Sequence, residues 1–215
     1  LPPISSITSI SKSIASDDSV QTEHADNNER LHGLQLAVTH GIGYGSNITI
    51  RNITFRDCYN GHVIQVAGSD NVLIENCRFE GQSFRGSGDK TRELLQIEPG
   101  TVKGYPYTLV QNKAPSTNVT IRNCYFGGSE NTPHYMAAIG THSQQAGVKC
   151  SDIVIEDCTF DNAAYTAIHF MAYDRITIRN NIFTICLADN DVRDKIISVL
   201  CVSDIHAVCT PFIGS

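Results

Sequence analysis

The chain has 215 residues, 41% of them hydrophobic, which is enough for one domain with a substantial core. Its formal net charge of −6 with only 18% charged residues excludes a phosphate-backbone binder, because such proteins carry a basic face; no nucleic acid partner is expected. No apolar run reaches the ~20 residues of a membrane span, and the N-terminus lacks a basic region followed by an apolar stretch.

Residues 1–31 are rich in Ser, Asp, Asn and Thr without a sustained apolar pattern and read as a polar lead-in or arm. Leu34, Leu36 and Val38 then read as an incomplete first rung of a repeating coil. From there a nine-residue pattern, N-[IV]-x-I-x-N-x-x-F, recurs five times: 47–55, 71–79, 118–126, 152–160 and 175–183. The starts lie 24, 47, 34 and 23 residues apart, so a minimal unit carries insertions of variable length, as in a solenoid whose loops lie outside the coil.

Within each copy apolar residues alternate, as in Ile48/Ile50 and Val119/Ile121, which is the period of a strand with one buried face. The next outward position reads Arg51, Glu75, Arg122, Glu156, Arg179. Stacked in register about 4.8 Å apart, these residues form a row of alternating sign, which supports parallel stacking in chain order. The adjacent column, Asn52, Asn76, Asn123, Asp157 and Asn180, is expected to turn inward and satisfy backbone groups at a bend. After it come Ile53, Cys77, Cys124, Cys158 and Asn181, predicting three stacked, buried, unpaired thiols beside a Phe column of residues 55, 79, 126, 160 and 183. Sequons at Asn47, Asn52 and Asn118 fall on repeat positions and read as structural.

A further strand comes after each Phe and its loop: 62–67, 93–98, 137–142 and 167–171. With Ile64/Val66, Leu95/Ile97, Ile139/Thr141 and Ile168/Phe170 inward, Gln65, Gln96, Gly140 and His169 form one outward column, and Ala67, Glu98, His142 and Met171 its neighbour. Each rung thus has three strands. Residues 196–202 read as one more strand, and 204–215 as a tail or partial rung. Solenoids need covered ends, so a homo-oligomer or additional domains of a longer chain are the expected partners there.

Over roughly residues 32–183 the repeat, its Asn column and its loop placement resemble the pectin-lyase-like right-handed parallel β-helix family. The resemblance implies an all-β fold, a three-sheet solenoid of about five to seven rungs over residues 32–203. The segments 93–98 (ELLQIE) and 138–143 (AIGTHS) also resemble β-helix segments of bacterial cell-surface and phage-associated carbohydrate-active proteins, which implies polysaccharide as substrate or ligand and an extracellular or cell-surface location.

Insertions 81–92, 99–116 and 127–135 adjoin the third strand, and in the resembled family such loops wall a substrate groove. The expected site is therefore the face carrying Glu98, His142 and His169 as acid/base groups, with Gln65, Gln96, Arg92, Tyr105 and Tyr135 binding the sugar. A carboxylate beside a histidine suits proton abstraction, and Arg85, Arg92 or Lys103 and Tyr105, Tyr107 or Tyr135 supply the charge-neutralising and proton-donating types that β-elimination needs. The Asp-Asp pair and Gly-His-Gly segment of polygalacturonases are absent. No metal-ligand spacing is present; Ca2+, which pectate lyases hold in an acidic cluster, stays open beside no cofactor, since only Glu98 and Glu93 stand on this face. Two functions are expected from these features: a polysaccharide lyase or glycoside hydrolase, or a noncatalytic cell-surface or phage-tail module that binds carbohydrate or serves as a rod.

Overall fold

The computed structural model describes residues 41–43, 45–59, 62–83, 93–100, 113–141, 145–184, 197–200 and 205–209. Every regular element among them is a strand. The described strands form three parallel stacks. Sheet A contains β1 (Gly41–Gly43), β4 (Ile64–Ala67), β7 (Glu93–Glu98), β10 (Tyr135–Gly140), β13 (Ala163–Met171) and β15 (Ile197–Leu200), in that order. Sheet B contains β2 (Ser46–Arg51), β5 (Asp70–Glu75), β8 (Thr117–Arg122), β11 (Cys150–Glu156), β14 (Tyr173–Thr184) and β16 (Ile205–Cys209). Sheet C contains β3 (Thr54–Tyr59), β6 (Arg78–Ser83), β9 (Tyr125–Gly127), β12 (Thr159–Asp161) and the second half of β14, which passes through the B–C bend as one strand.

The core is a set of columns, because in-register parallel stacking places like positions of the repeat on top of one another. Phe55, Phe79, Phe126, Phe160 and Phe183 stack with ring centroids 4.8–5.1 Å apart and planes within 3–18°. Beside them Cys77, Cys124 and Cys158 are free and buried, with Ile53 below and Asn181 above, as the alternation predicts. Each thiol donates to the carbonyl two residues back, at 3.2–3.3 Å. The neighbouring thiol above raises the pKa of both Cys77 and Cys124, and burial adds to the effect, so both stay protonated. Cys58 and Cys150 are free and buried as well.

The outward row Arg51–Glu75–Arg122–Glu156–Arg179 is in register across sheet B. Arg122 donates to Glu75 through Nε (3.0 Å) and Nη2 (2.8 Å), and Arg179 to Glu156 through Nε (2.8 Å) and Nη2 (2.5 Å).

The asparagine column corrects the expectation of an inward stack. Asn52, Asn76, Asn123, Asp157 and Asn180 are exposed, and each has positive φ, between 51° and 59°. The first position of each repeat, Asn47, Asn71, Asn118, Asp152 and Arg175, is left-handed too, with φ of 48–60°. Nine of these ten positions are Asn or Asp, which tolerate the left-handed region because their short polar side chains reduce its cost. The turn directs the N–H of Asn52, Asn76, Asn123 and Asp157 to the carbonyl of the charge-row residue one rung on, at 3.2–3.3 Å.

Candidate functional site

The alternation that places Ile64, Val66, Leu95 and Ile97 in the core puts Gln65, Gln96 and Glu98 on the opposite face of sheet A. Register confirms the column Gln65–Gln96–Gly140–His169 and the pair Ala67–Glu98. Gly140 is obligatory there, since a Cβ would overlap the His169 carbonyl oxygen of the next strand.

The described residues of this face differ in accessibility from the expected solvated surface. Gln65 is 8% exposed, Gln96 2% and Glu98 0%, so these three side chains, expected on a solvated sugar-binding surface, are buried. Gln65 Nε2 donates to Glu98 Oε1, a diagonal contact between neighbouring strands that holds two buried polar groups together. The Glu98 main-chain carbonyl accepts from Ser116 Oγ at 2.8 Å and from the Gly68 N–H at 3.1 Å. Glu93, at the start of β7, is also fully buried; His62 Nδ1 donates to its carbonyl at 2.6 Å and lies 3.7 Å from its carboxylate. His169 is half-buried. Among the described residues no three His, Cys, Asp or Glu side chains are grouped to hold a metal.

Tyr135, expected to bind sugar, is fully buried as the first residue of β10, and burial pushes its hydroxyl well above the ordinary tyrosine range. His142, Arg92 and Tyr105, with Arg85, Lys103 and Tyr107, lie outside the described residues.

The 127–135 insertion is anchored on sheet C and its corner with sheet A. Asp57, buried and left-handed, accepts from Ser129 Oγ and from Asn131 Nδ2 (2.8 Å), and the Gln82 N–H donates to the His134 carbonyl at 3.1 Å. At the corner between sheets A and B, Ser69, Ser116, Cys150 and Tyr173 are all buried. Burial first, and the nearby Glu98 charge with it, hold the Cys150 thiol up at about 12 despite the opposing Ser116 N–H contact at 3.3 Å. The Tyr173 hydroxyl donates to the Ile97 carbonyl, so this corner is bound by internal bonds.

Sequence reasoning misses a network on the outside of sheet C. Glu80 accepts from Arg56 Nε and Arg78 Nε, each at 2.6 Å. Arg78 also lies over the Tyr125 ring, 4.1 Å from its centroid, and the Tyr125 hydroxyl donates to Asp161 at 3.1 Å. The ring crosses Gly127, whose missing side chain makes the room: a Cβ there would overlap the phenol oxygen. The signal for this network lies in the columns Arg56/Glu80 and Arg78/Tyr125, which are outward and in register.

A family model described as "Right handed beta helix region" matches residues 41–187. The chain belongs to that family. The chain is 43% identical over 147 residues, 66% of its length, to the plasmin and fibronectin-binding protein A of Streptococcus pneumoniae (strain ATCC BAA-255 / R6), of which it spans 20%. Two solved structures of PfbA, titled a Streptococcus pneumoniae surface protein and adhesin, are similar, with 42% identity and TM-scores of 0.64 and 0.63. Each alignment covers 66% of this chain and 35% or 32% of PfbA. The cell-surface location expected from the sequence agrees with these surface-protein relatives. The relatives are adhesins rather than lyases or hydrolases, which favours the noncatalytic alternative over polysaccharide cleavage.

Proposed function

We propose that this β-helix is a noncatalytic module of a cell-surface adhesin, a stiff rod whose outer faces bind a host protein of the extracellular matrix or the fibrinolytic system. The observation that carries the reading is the 43% identity, over 147 residues of this chain, to a protein named for binding plasmin and fibronectin. The geometry supports it. A catalytic carboxylate has to reach substrate, whereas Glu98 is fully buried and bonded to Gln65. The in-register strands and the stacked Phe column favour stiffness, because each rung packs on the next.

The test uses the whole 215-residue chain. Saturable binding to immobilised fibronectin or plasmin is expected, with no new reducing ends and no unsaturated uronate absorbance from a panel of acidic and neutral polysaccharides. The competing reading is cleavage in which Glu98, His142 and His169 act as acid/base groups beside Gln65, Gln96, Arg92 and Tyr105. Turnover by the native chain that disappears in His142→Ala or His169→Ala establishes cleavage and overturns the adhesin reading.

A further inference from the structure

The outer face of sheet B repeats every second rung. In register, Thr49, Leu73, Thr120, Val154 and Thr177 form its central column, and Arg51, Glu75, Arg122, Glu156 and Arg179 the column beside it. Thr-Ile-Arg therefore occurs at rungs one, three and five, with an aliphatic residue and a glutamate between. Ion pairing explains why the charges alternate. It does not require the hydroxyls to alternate with Leu and Val in the same phase.

Three further features give this face a polarity. The arginine side chains are 46%, 42% and 54% exposed, whereas Glu75 and Glu156 are 13% and 14% exposed, so solvent meets the cations first. Arg122 and Arg179 engage their glutamates through Nε and Nη2, and Arg51 lies 3.9 Å from Glu75 through Nη1, so none of the three guanidinium groups has all its donors committed to a glutamate. The Phe rings stack 4.8–5.0 Å apart with planes only 3–8° from parallel over Phe79–Phe183, so the columns are straight and like sites recur at about 10 Å.

We propose that this face binds a linear acidic polysaccharide lying along the solenoid axis, one carboxylate per disaccharide seated on Arg51, Arg122 and Arg179. A row of recurring Thr-Ile-Arg sites matches a ligand that itself repeats, which a folded protein surface does not. The spacing is close to the length of one disaccharide of an extended chain, so a polymer of alternating uronate and neutral sugar places its carboxylates in phase with the guanidinium groups. The threonine hydroxyls meet sugar hydroxyl or acetamide groups, and Leu73 and Val154 lie under the C–H faces between. This site is on a different sheet from the buried Gln65–Glu98 pair and stands apart from the adhesin reading.

The probes are hyaluronan di-, tetra- and hexasaccharides, with neutral cellohexaose as control, titrated calorimetrically into the full chain at low ionic strength. Affinity is expected to rise at least tenfold from disaccharide to hexasaccharide, to fall with added salt, and to be absent for cellohexaose. Arg122→Gln should weaken hexasaccharide binding at least tenfold and Thr120→Val at least threefold. Glu75→Gln removes the competing carboxylate and should tighten binding, an effect that a merely structural ladder does not produce. Absence of hexasaccharide binding, equal affinity for all lengths, equal binding of cellohexaose, or no tightening in Glu75→Gln overturns the proposal. If the hexasaccharide fails while Arg122→Gln loses fibronectin binding, the face docks protein and the proposal also falls.

Discussion

Asn181 closes the thiol column above Cys158: its Oδ1 accepts from the Cys158 N–H at 2.8 Å, and its Nδ2 donates to the Ile155 carbonyl at 2.9 Å. The amide stands where the repeat otherwise has Cys or Ile, is 2% exposed, and supplies both a donor and an acceptor to main-chain groups of the rung below. Asn181→Ala removes both partners inside the core, and the expected loss is about 1–3 kcal/mol in urea unfolding. Unchanged stability would show that the two backbone groups find other partners.

The stacked thiols set a second expectation. Cys77, Cys124 and Cys158 are 1–3% exposed, so a thiol reagent should react with them slowly in the native protein and promptly in denaturant. Cys124→Ala keeps a small apolar group in the column and should cost less than Cys124→Asp, which buries an unpaired charge. Rapid native labelling of all three would contradict the column.

The exposed asparagines act through φ. Asn123, at φ 51°, should lose about 1–2 kcal/mol when changed to Ala, while Asn123→Gly should be close to neutral, because only the Cβ penalty differs. Equal effects of the two substitutions would mean that the carboxamide, not the backbone, matters.

Gly127 is tested by its neighbour. A methyl group there displaces the Tyr125 ring and with it the Arg78 contact and the Asp161 hydrogen bond, for an expected loss of about 1–3 kcal/mol. In Tyr125→Ala the obstacle is gone, so Gly127→Ala should then cost little. Additive effects in the double variant would place the clash elsewhere.

Acid should weaken the solenoid. Burial raises the Glu80 carboxyl, but hydrogen bonds and charge from Arg78 and Arg56 outweigh it and hold its pKa below 4.5. Hydrogen bonds from Thr117 and Asn118 lower Asp70, and Arg175 lowers Asp152, both below 3.8. A carboxyl with a depressed folded pKa stabilises the protein fully above its unfolded pKa, and that stability is lost as pH falls through the folded value. The melting temperature should thus drop below about pH 4.5, and Glu80→Gln should flatten the slope by about 1 kcal/mol per pair, since each joins the buried Glu80 carboxylate to a half-exposed guanidinium. A slope unchanged in Glu80→Gln would assign acid sensitivity to other groups.

The solenoid is legible in the sequence because its rules are local and repeated. Alternation in each copy chooses the inward residues, and the opposite signs of Arg51, Glu75, Arg122, Glu156 and Arg179 select parallel register without reference to any contact. The same count finds the asparagines at positions 52, 76, 123 and 180 but attaches the wrong reason to them, since a residue letter does not distinguish a side chain chosen for its amide from one chosen to permit positive φ. Periodicity reports position, and the reason for a residue at that position comes from its backbone angles.

Exposure is another matter. Sequence alone determined that Gln65, Gln96 and Glu98 face away from the Ile and Leu core of sheet A, because side chains alternate across a strand. Only the tertiary structure decided that these three side chains are buried there, that Gln65 and Glu98 meet, and that Tyr135 lies in the interior at the head of its strand. Direction is set by two neighbouring residues, whereas burial depends on everything that packs above them, which no local pattern records.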